Sequence, residues 1–247
     1  MIKTSQVIKV ICLALFASAL LFAIAWVFIP FGPGVEARAA LVSDSKVRVQ
    51  QTAEWVTFIP TAKQPTTGLI LYPGAHVDYR SYAAVAREIA LHGYQVTVVR
   101  MPANLAVFGI SRADQVISAY PAIQRWAIGG HSLGGMVAAR YAAEHPREIL
   151  GVVFWAAFPL ADLSRSDLAG ASTYGTKDMG LELQAVQVSL PFLPPGTTVE
   201  PIQGGGHTGF GDYQTMFGGS SADISPELQQ AYAADLTINL LQKISGN

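Results

Sequence analysis

Ser132 lies in the run Ala127-Ile128-Gly129-Gly130-His131-Ser132-Leu133-Gly134-Gly135-Met136, where Gly130-x-Ser132-x-Gly134 separates an apolar strand pattern from a helix of small residues. A serine on so sharp a strand-to-helix turn is held in strained backbone, so its neighbours must be small. Gly130 and Gly134 permit close approach of strand and helix, and the hydroxyl then projects above the sheet. The backbone N–H of Leu133, at the helix start, can point at an oxyanion. The chemistry on offer is nucleophilic attack on an acyl carbonyl, for which a serine hydroxyl needs a positioned base. The plain alternative is a glycine-rich turn with a surface serine. The flanking strand and helix argue against it.

On these residues the chain resembles α/β-hydrolases, and among them a small, dienelactone-hydrolase-like group. The resemblance runs from about Trp55 to the C-terminus. It is carried by Tyr72-Pro73-Gly74-Ala75, Gly130-His131-Ser132-Leu133-Gly134-Gly135, Tyr174-Gly175-Thr176-Lys177-Asp178 and Gly204-Gly205-Gly206-His207. Dienelactone hydrolases use a cysteine nucleophile. Ser132 stands in that place, so their lactone substrate does not carry over.

The resemblance implies the chain order serine, acid, histidine. Of the five histidines, only His145 and His207 follow Ser132. His145 ends the serine's own helix and points away, whereas His207 follows the last strand in a glycine-rich loop and is expected to be the base. His131 is expected to pack beneath the turn. Asp178 ends a strand-to-loop stretch and is the expected acid, with Asp162, after the preceding strand, as the alternative. The acid fixes the imidazole tautomer and stabilises the imidazolium. The second oxyanion donor is expected from the turn Tyr72-Pro73-Gly74-Ala75-His76. Pro73 has no N–H, and the resemblance points to Ala75, with His76 next. The implied activity is that of a serine hydrolase cleaving an ester, thioester or related acyl compound through an acyl-enzyme. An acyltransferase with the same triad, or a non-catalytic binding protein on the same fold, are the competing readings. No cofactor is implied, and no metal-ligand spacing is present in the sequence.

Short apolar runs alternating with helical patterns must position these residues. Strands are expected at 54–59, 68–72, 94–99, 126–130 and 149–157, with weaker ones near 171–174 and 198–202. Helices are expected at 82–91, 134–144 and from Pro226 to Leu241, the last capped by Ser225. This predicts a mostly parallel sheet covered by helices on both faces. About ten residues separate the strand after the serine's helix from the next, too few for a cap domain.

Val10 to Ile29 carries no charge and matches a bilayer core of about 20 helical residues. Lys3 and Lys9 precede it, Trp26, Phe28 and Phe31 suit an interfacial belt, and Pro30 with Phe31-Gly32-Pro33-Gly34 ends the helix. The expected organisation is a membrane anchor over 1–31, a linker over 32–45 and a catalytic domain over 46–247 on the extracytoplasmic side. The alternative is a secreted protein cleaved near Ala37-Arg38-Ala39. A fragment starting near Val42 is accordingly expected to be soluble and active. A net charge of −1 offers no field for nucleic acid, so the expected partners are a small acyl substrate and the membrane. Cys12, the single cysteine, lies in the apolar run and excludes disulfides and thiolate chemistry from the rest of the chain.

Overall fold

The computed structural model describes residues 4–178, 183–213 and 222–246. The strands are β1 Val47–Gln51, β2 Trp55–Pro60, β3 Thr67–Tyr72, β4 Gln95–Val99, β5 Arg125–His131, β6 Ile149–Trp155, β7 Ala169–Gly175 and β8 Thr198–Ile202. They form one eight-stranded sheet in the order β1-β2-β4-β3-β5-β6-β7-β8. β2 pairs antiparallel with β1 and β4, and the remaining pairings are parallel. The helices are α1 Thr4–Phe28, α2 Val35–Ala40, α3 Ala83–Leu91, α4 Arg112–Ala119, α5 Leu133–Glu144, α6 Leu183–Ser189 and α7 Pro226–Ser245.

The central strands are apolar throughout because both faces are covered. Leu69 and Leu71 of β3 face α3 and α7 with Val85, Ile89, Leu236 and Leu240, while Ile70 and Tyr72 face α4 and α5 with Val116, Val137 and Tyr141. In β6, Val153 and Trp155 belong to the first layer, Val152 and Phe154 to the second. Each such large side chain contributes about 1.5–3 kcal/mol on burial. Ser225 caps α7 by accepting the Leu228 N–H at 3.3 Å, and Pro226 occupies the first turn. Residues 156–168, between β6 and β7, contain neither helix nor strand.

β1, α2, α4 and α6 were not anticipated. In β1 only Val47 is fully buried, and Arg48, Gln50 and Gln51 make the strand too polar to stand out. The larger correction concerns residues 32–45, expected to be a linker. The stretch 31–40 is packed onto the domain, while residues 42–45 are exposed. Phe31 pairs with Val77 and Pro33 with Tyr213. Phe31 N–H donates to the His76 carbonyl at 2.7 Å, and Asp78 N–H donates to the Phe31 carbonyl at 2.9 Å. The Asp212 carbonyl accepts from Gly34 N–H at 2.7 Å, and its carboxylate accepts from Ala37 N–H at 2.8 Å. Ala37 and Ala40 are buried against α3. Phe31, expected in an interfacial belt, packs on the first core layer and stacks on Tyr213. Gly34 serves this close packing, since a β-carbon there would lie 2.0 Å from Asp212 Oδ1.

α1 is 25 residues long, about 37 Å at the helical rise. Its described side chains include Leu13, Phe16 and Leu21, all exposed. Among the described residues no helix is long and apolar enough to cross a membrane. Lys3 lies outside the described residues, as do the side chains of Trp26 and Phe28.

The packing of residues 31–40 bears on a fragment starting at Val42, which would lack it. A fragment beginning at Pro30 keeps the four hydrogen bonds named above. One beginning at Val42 loses them and is expected to be less stable by about 2–6 kcal/mol, at roughly 0.5–1.5 kcal/mol each. Chemical denaturation of the two fragments checks this, and equal midpoints and slopes would count against it.

Candidate active site

β5 ends at His131 and α5 begins at Leu133, leaving Ser132 alone to turn the chain. It does so at φ 51°, ψ −125°, a conformation that costs a non-glycine residue about 1–3 kcal/mol. Hydrogen bonds hold it there: Ser132 N–H donates to Trp155 O at 2.9 Å, and Met136 N–H donates to Ser132 O at 3.2 Å. The glycines let the turn close. A β-carbon on Gly130 would lie 2.4 Å from the Tyr72 carbonyl oxygen, and one on Gly134 would lie 2.2 Å from the same atom. A side chain at either position would lever α5 away from β3.

Leu133 is the first residue of α5, so its N–H belongs to the first-turn amides that lack an intrahelical partner. Ala75 is half-buried in the turn after β3, closed by Val77 N–H donating to Gly74 O at 3.3 Å. His76 holds φ 59° in that turn, with its N–H on Asn104 O at 2.9 Å. β3 and β5 are adjacent, and both turns lie at their carboxyl ends, where open α/β sheets form their ligand crevice.

Asp178 follows β7 and His207 follows β8. His207 Nδ1 lies 2.8 and 3.0 Å from the two carboxylate oxygens of Asp178. The Asp178 side chain is 2% exposed and that of His207 27%. An Nδ1–H donated to the carboxylate leaves Nε2 free to take a proton. The two loops are laced together: Lys177 N–H donates to Gly205 O at 2.8 Å, and Gly204 N–H to Thr176 Oγ1 at 2.9 Å. The His207 ring centroid lies 4.8 Å from that of His131, the residue before Ser132. Tyr213 closes the same loop. Burial, and secondarily the Asp178 charge, push its phenol well above the ordinary tyrosine range.

The alternatives lie elsewhere. Asp162 is exposed, accepts from Ser164 N–H at 2.9 Å, and is made more acidic by its hydrogen bonds to Ser164. His145 Nδ1–H donates to Tyr141 O at 2.9 Å, and the ring stacks on Tyr141. Among the described residues no group of three or more His, Cys, Asp or Glu stands where it could hold a metal ion. A cavity of about 700 Å³ lined by Arg48, Gln95 and Tyr120 lies at the amino ends of β3, β4 and β5, the opposite edge from Ser132. Its size does not make it the reaction site, since none of the residues above lines it.

Two buried polar residues that shape the site were not anticipated, Tyr82 and Gln229. Gln229 of α7 accepts from Gly206 N–H at 2.9 Å and donates to Gly206 O at 2.7 Å, pinning the residue before His207. Glutamines among the buried residues of the helix were the signal.

A strand, a one-residue strained turn and a helix, with an Asp–His pair on later loops of a mostly parallel sheet, define an α/β-hydrolase architecture. The sequence model of the alpha/beta hydrolase family matches residues 68–231, more than half of the chain, so this protein belongs to that family. The fold is shared with a predicted CIB-like hydrolase from Thermoplasma acidophilum, at TM-score 0.61 and 14% identity over 78% of this chain and 99% of that one. It is also shared with Est1E from Butyrivibrio proteoclasticus, at TM-score 0.58 and 11% identity over 80% of this chain and 100% of that one. No curated protein matches the sequence.

Gln229→Leu keeps the volume of the side chain but leaves the Gly206 N–H and C=O buried without partners. It is expected to cost about 1–3 kcal/mol per group. Denaturation of the variant checks this, and a loss under 1 kcal/mol in total would contradict it.

Proposed function

We propose that this protein is a serine hydrolase that cleaves an ester, thioester or related acyl compound through an acyl-enzyme on Ser132. The observation that carries the reading is Ser132 on its strained turn at the edge that also holds the Asp178–His207 pair. Ser132 Oγ attacks the acyl carbonyl as His207 Nε2 takes its proton. Asp178 stabilises the imidazolium that forms. The N–H groups of Leu133 and Ala75 receive the tetrahedral oxyanion, where fixed donors act without reorganising. His207 then protonates the leaving group, and water repeats the cycle on the acyl-enzyme.

A fluorophosphonate, which mimics the acyl substrate and phosphonylates an activated serine, tests the reading directly. The chain is expected to label on Ser132, and Ser132→Ala to lose labelling and about 10⁴–10⁶ of any ester turnover. Asp178→Asn is expected to cost about 10⁴ in turnover by letting His207 take the wrong tautomer. Asp162→Asn should leave turnover near that of the unaltered protein. Failure of the chain to label would refute the reading, and a worse loss at Asp162 would move the acid.

We further propose that α1 is a membrane anchor with the domain on the extracytoplasmic side. Its support is the uncharged stretch Val10 to Ile29, the helical backbone through Phe28 and the exposed apolar side chains along it. In sealed membrane vesicles with the outer face exposed, protease is expected to digest the domain without detergent. Complete protection would place it on the inner face, and recovery of the protein in the wash would remove the anchor.

A further inference from the structure

We infer that Tyr82 and His131 are positioning residues of the proposed hydrolase site. They form a buried hydrogen-bonded bridge that sets the separation between the oxyanion-side turn and the loop bearing the base. The inference rests on the serine-hydrolase reading of Ser132 and His207.

The bridge is continuous. Gly74 N lies 3.0 Å from Tyr82 Oη, Tyr82 Oη lies 2.9 Å from His131 Nδ1, and His131 Nε2 lies 2.9 Å from the His207 carbonyl oxygen. Tyr82 is 0% exposed and His131 1%. Its two ends dictate its polarity. A backbone N–H only donates and a carbonyl oxygen only accepts. Tyr82 Oη therefore accepts from Gly74 N–H and donates its own proton to His131 Nδ1, and His131 Nε2–H donates to His207 O. This requires a neutral imidazole in one tautomer. Burial, and secondarily the nearby His207, hold His131 well below the ordinary histidine range, so the neutral form is the one present. Burial likewise raises the Tyr82 phenol well above its ordinary range, so it keeps its proton.

The bridge joins parts of the site that the sheet does not. The turn holding Gly74 and Ala75 follows β3, and the loop holding His207 follows β8. In the sheet those two strands are separated by β5, β6 and β7. His131 stands between them, immediately before Ser132, over a floor of Phe210 and Trp155. Gly74 is small for the same reason. A β-carbon there would come 2.7 Å from His131 Nδ1. In the proposed reaction negative charge develops at Ala75 and Leu133 while positive charge develops on His207. A bridge from Gly74 to the His207 backbone holds those two centres in register. The Tyr82 hydroxyl and both His131 ring nitrogens are engaged within the bridge, so its loss is expected in the chemical step rather than in binding.

Fluorophosphonate labelling of the full chain tests this without knowledge of the natural substrate. Tyr82→Phe, which removes one oxygen atom, and His131→Leu are each expected to slow the maximal labelling rate about 10- to 100-fold, the scale of a misplacement of about 1 Å. Probe affinity should stay within about threefold, because uniform binding is untouched. The double variant should be no slower than the worse single one, since both break one bridge. The midpoint of the rate's rise with pH should not move, because His131 is neutral throughout. Labelling of folded Tyr82→Phe within about twofold of the unaltered chain, multiplying losses in the double variant, or a loss confined to affinity would overturn the inference. A shifted pH midpoint would also overturn it, by making His131 a titrating participant. Should His131→Leu not fold, Tyr82→Phe decides alone. An unaltered chain that does not label refutes the hydrolase reading itself, whereas a labelled chain with unaffected variants refutes only the bridge.

Discussion

The backbone at Ser132 is the constraint on which the rest of the site depends. A single residue reverses the chain from β5 into α5 at positive φ, and the turn holds only because the neighbouring backbones are in contact. Tyr72 of β3 crowds both Gly130 and Gly134, so the end of β3, the end of β5 and the start of α5 meet at one point. The strain of a few kcal/mol is set against the burial of α5 on the sheet through Val137, Ala138 and Tyr141. The exposed edge of this junction is where the hydroxyl and the first amides of α5 converge. The geometry at Ser132 is therefore a property of close packing between three elements.

Asp178 and His207 hang on separate strands, and polar contacts hold them together. Asp178 is almost wholly enclosed, and a carboxylate in that position is costly unless it is paired. The His207 imidazole supplies the partner. Hydrogen bonds from the Lys177 N–H to Gly205 O and from the Gly204 N–H to the Thr176 hydroxyl oxygen hold the two loops together. Gln229 from below and His131 from the side then restrain the backbone around His207. With so many restraints on one glycine-rich loop, its freedom is small despite its composition.

The N-terminal segment enters this arrangement directly. Phe31 joins the turn after β3, while Gly34 and Ala37 are held by Asp212 in the loop that follows His207. Chain leaving α1 thus braces both sides of the proposed site within a dozen residues. If α1 is held in a bilayer, the edge carrying Ser132 is tethered close to its surface. Two residues, Ile29 and Pro30, separate the end of α1 from Phe31, a span of at most about 10 Å.

The local chemistry of the chain determined much of this protein. Apolar runs of strand length, the Gly130-x-Ser132-x-Gly134 turn and the Ser225-Pro226 helix start are short-range signals, and the elements they specify form where expected. The pairing of Asp178 with His207 was legible as an order along the chain, because the fold hangs each on a successive loop. Tertiary structure alone decided the rest. The segment 32–45 reads as a linker, and Asp212, far away in sequence, provides partners for the amides of Gly34 and Ala37. Tyr82, His131 and Gln229 look like ordinary members of a helix or strand until the fold aligns them with backbone groups of Gly74, His207 and Gly206. β1 is a strand because β2 offers it an edge. In each case the deciding interaction is a hydrogen bond to a group outside the segment itself. Periodicity and local motifs report which surfaces a segment must bury, but they carry no record of which distant donor or acceptor will meet it there.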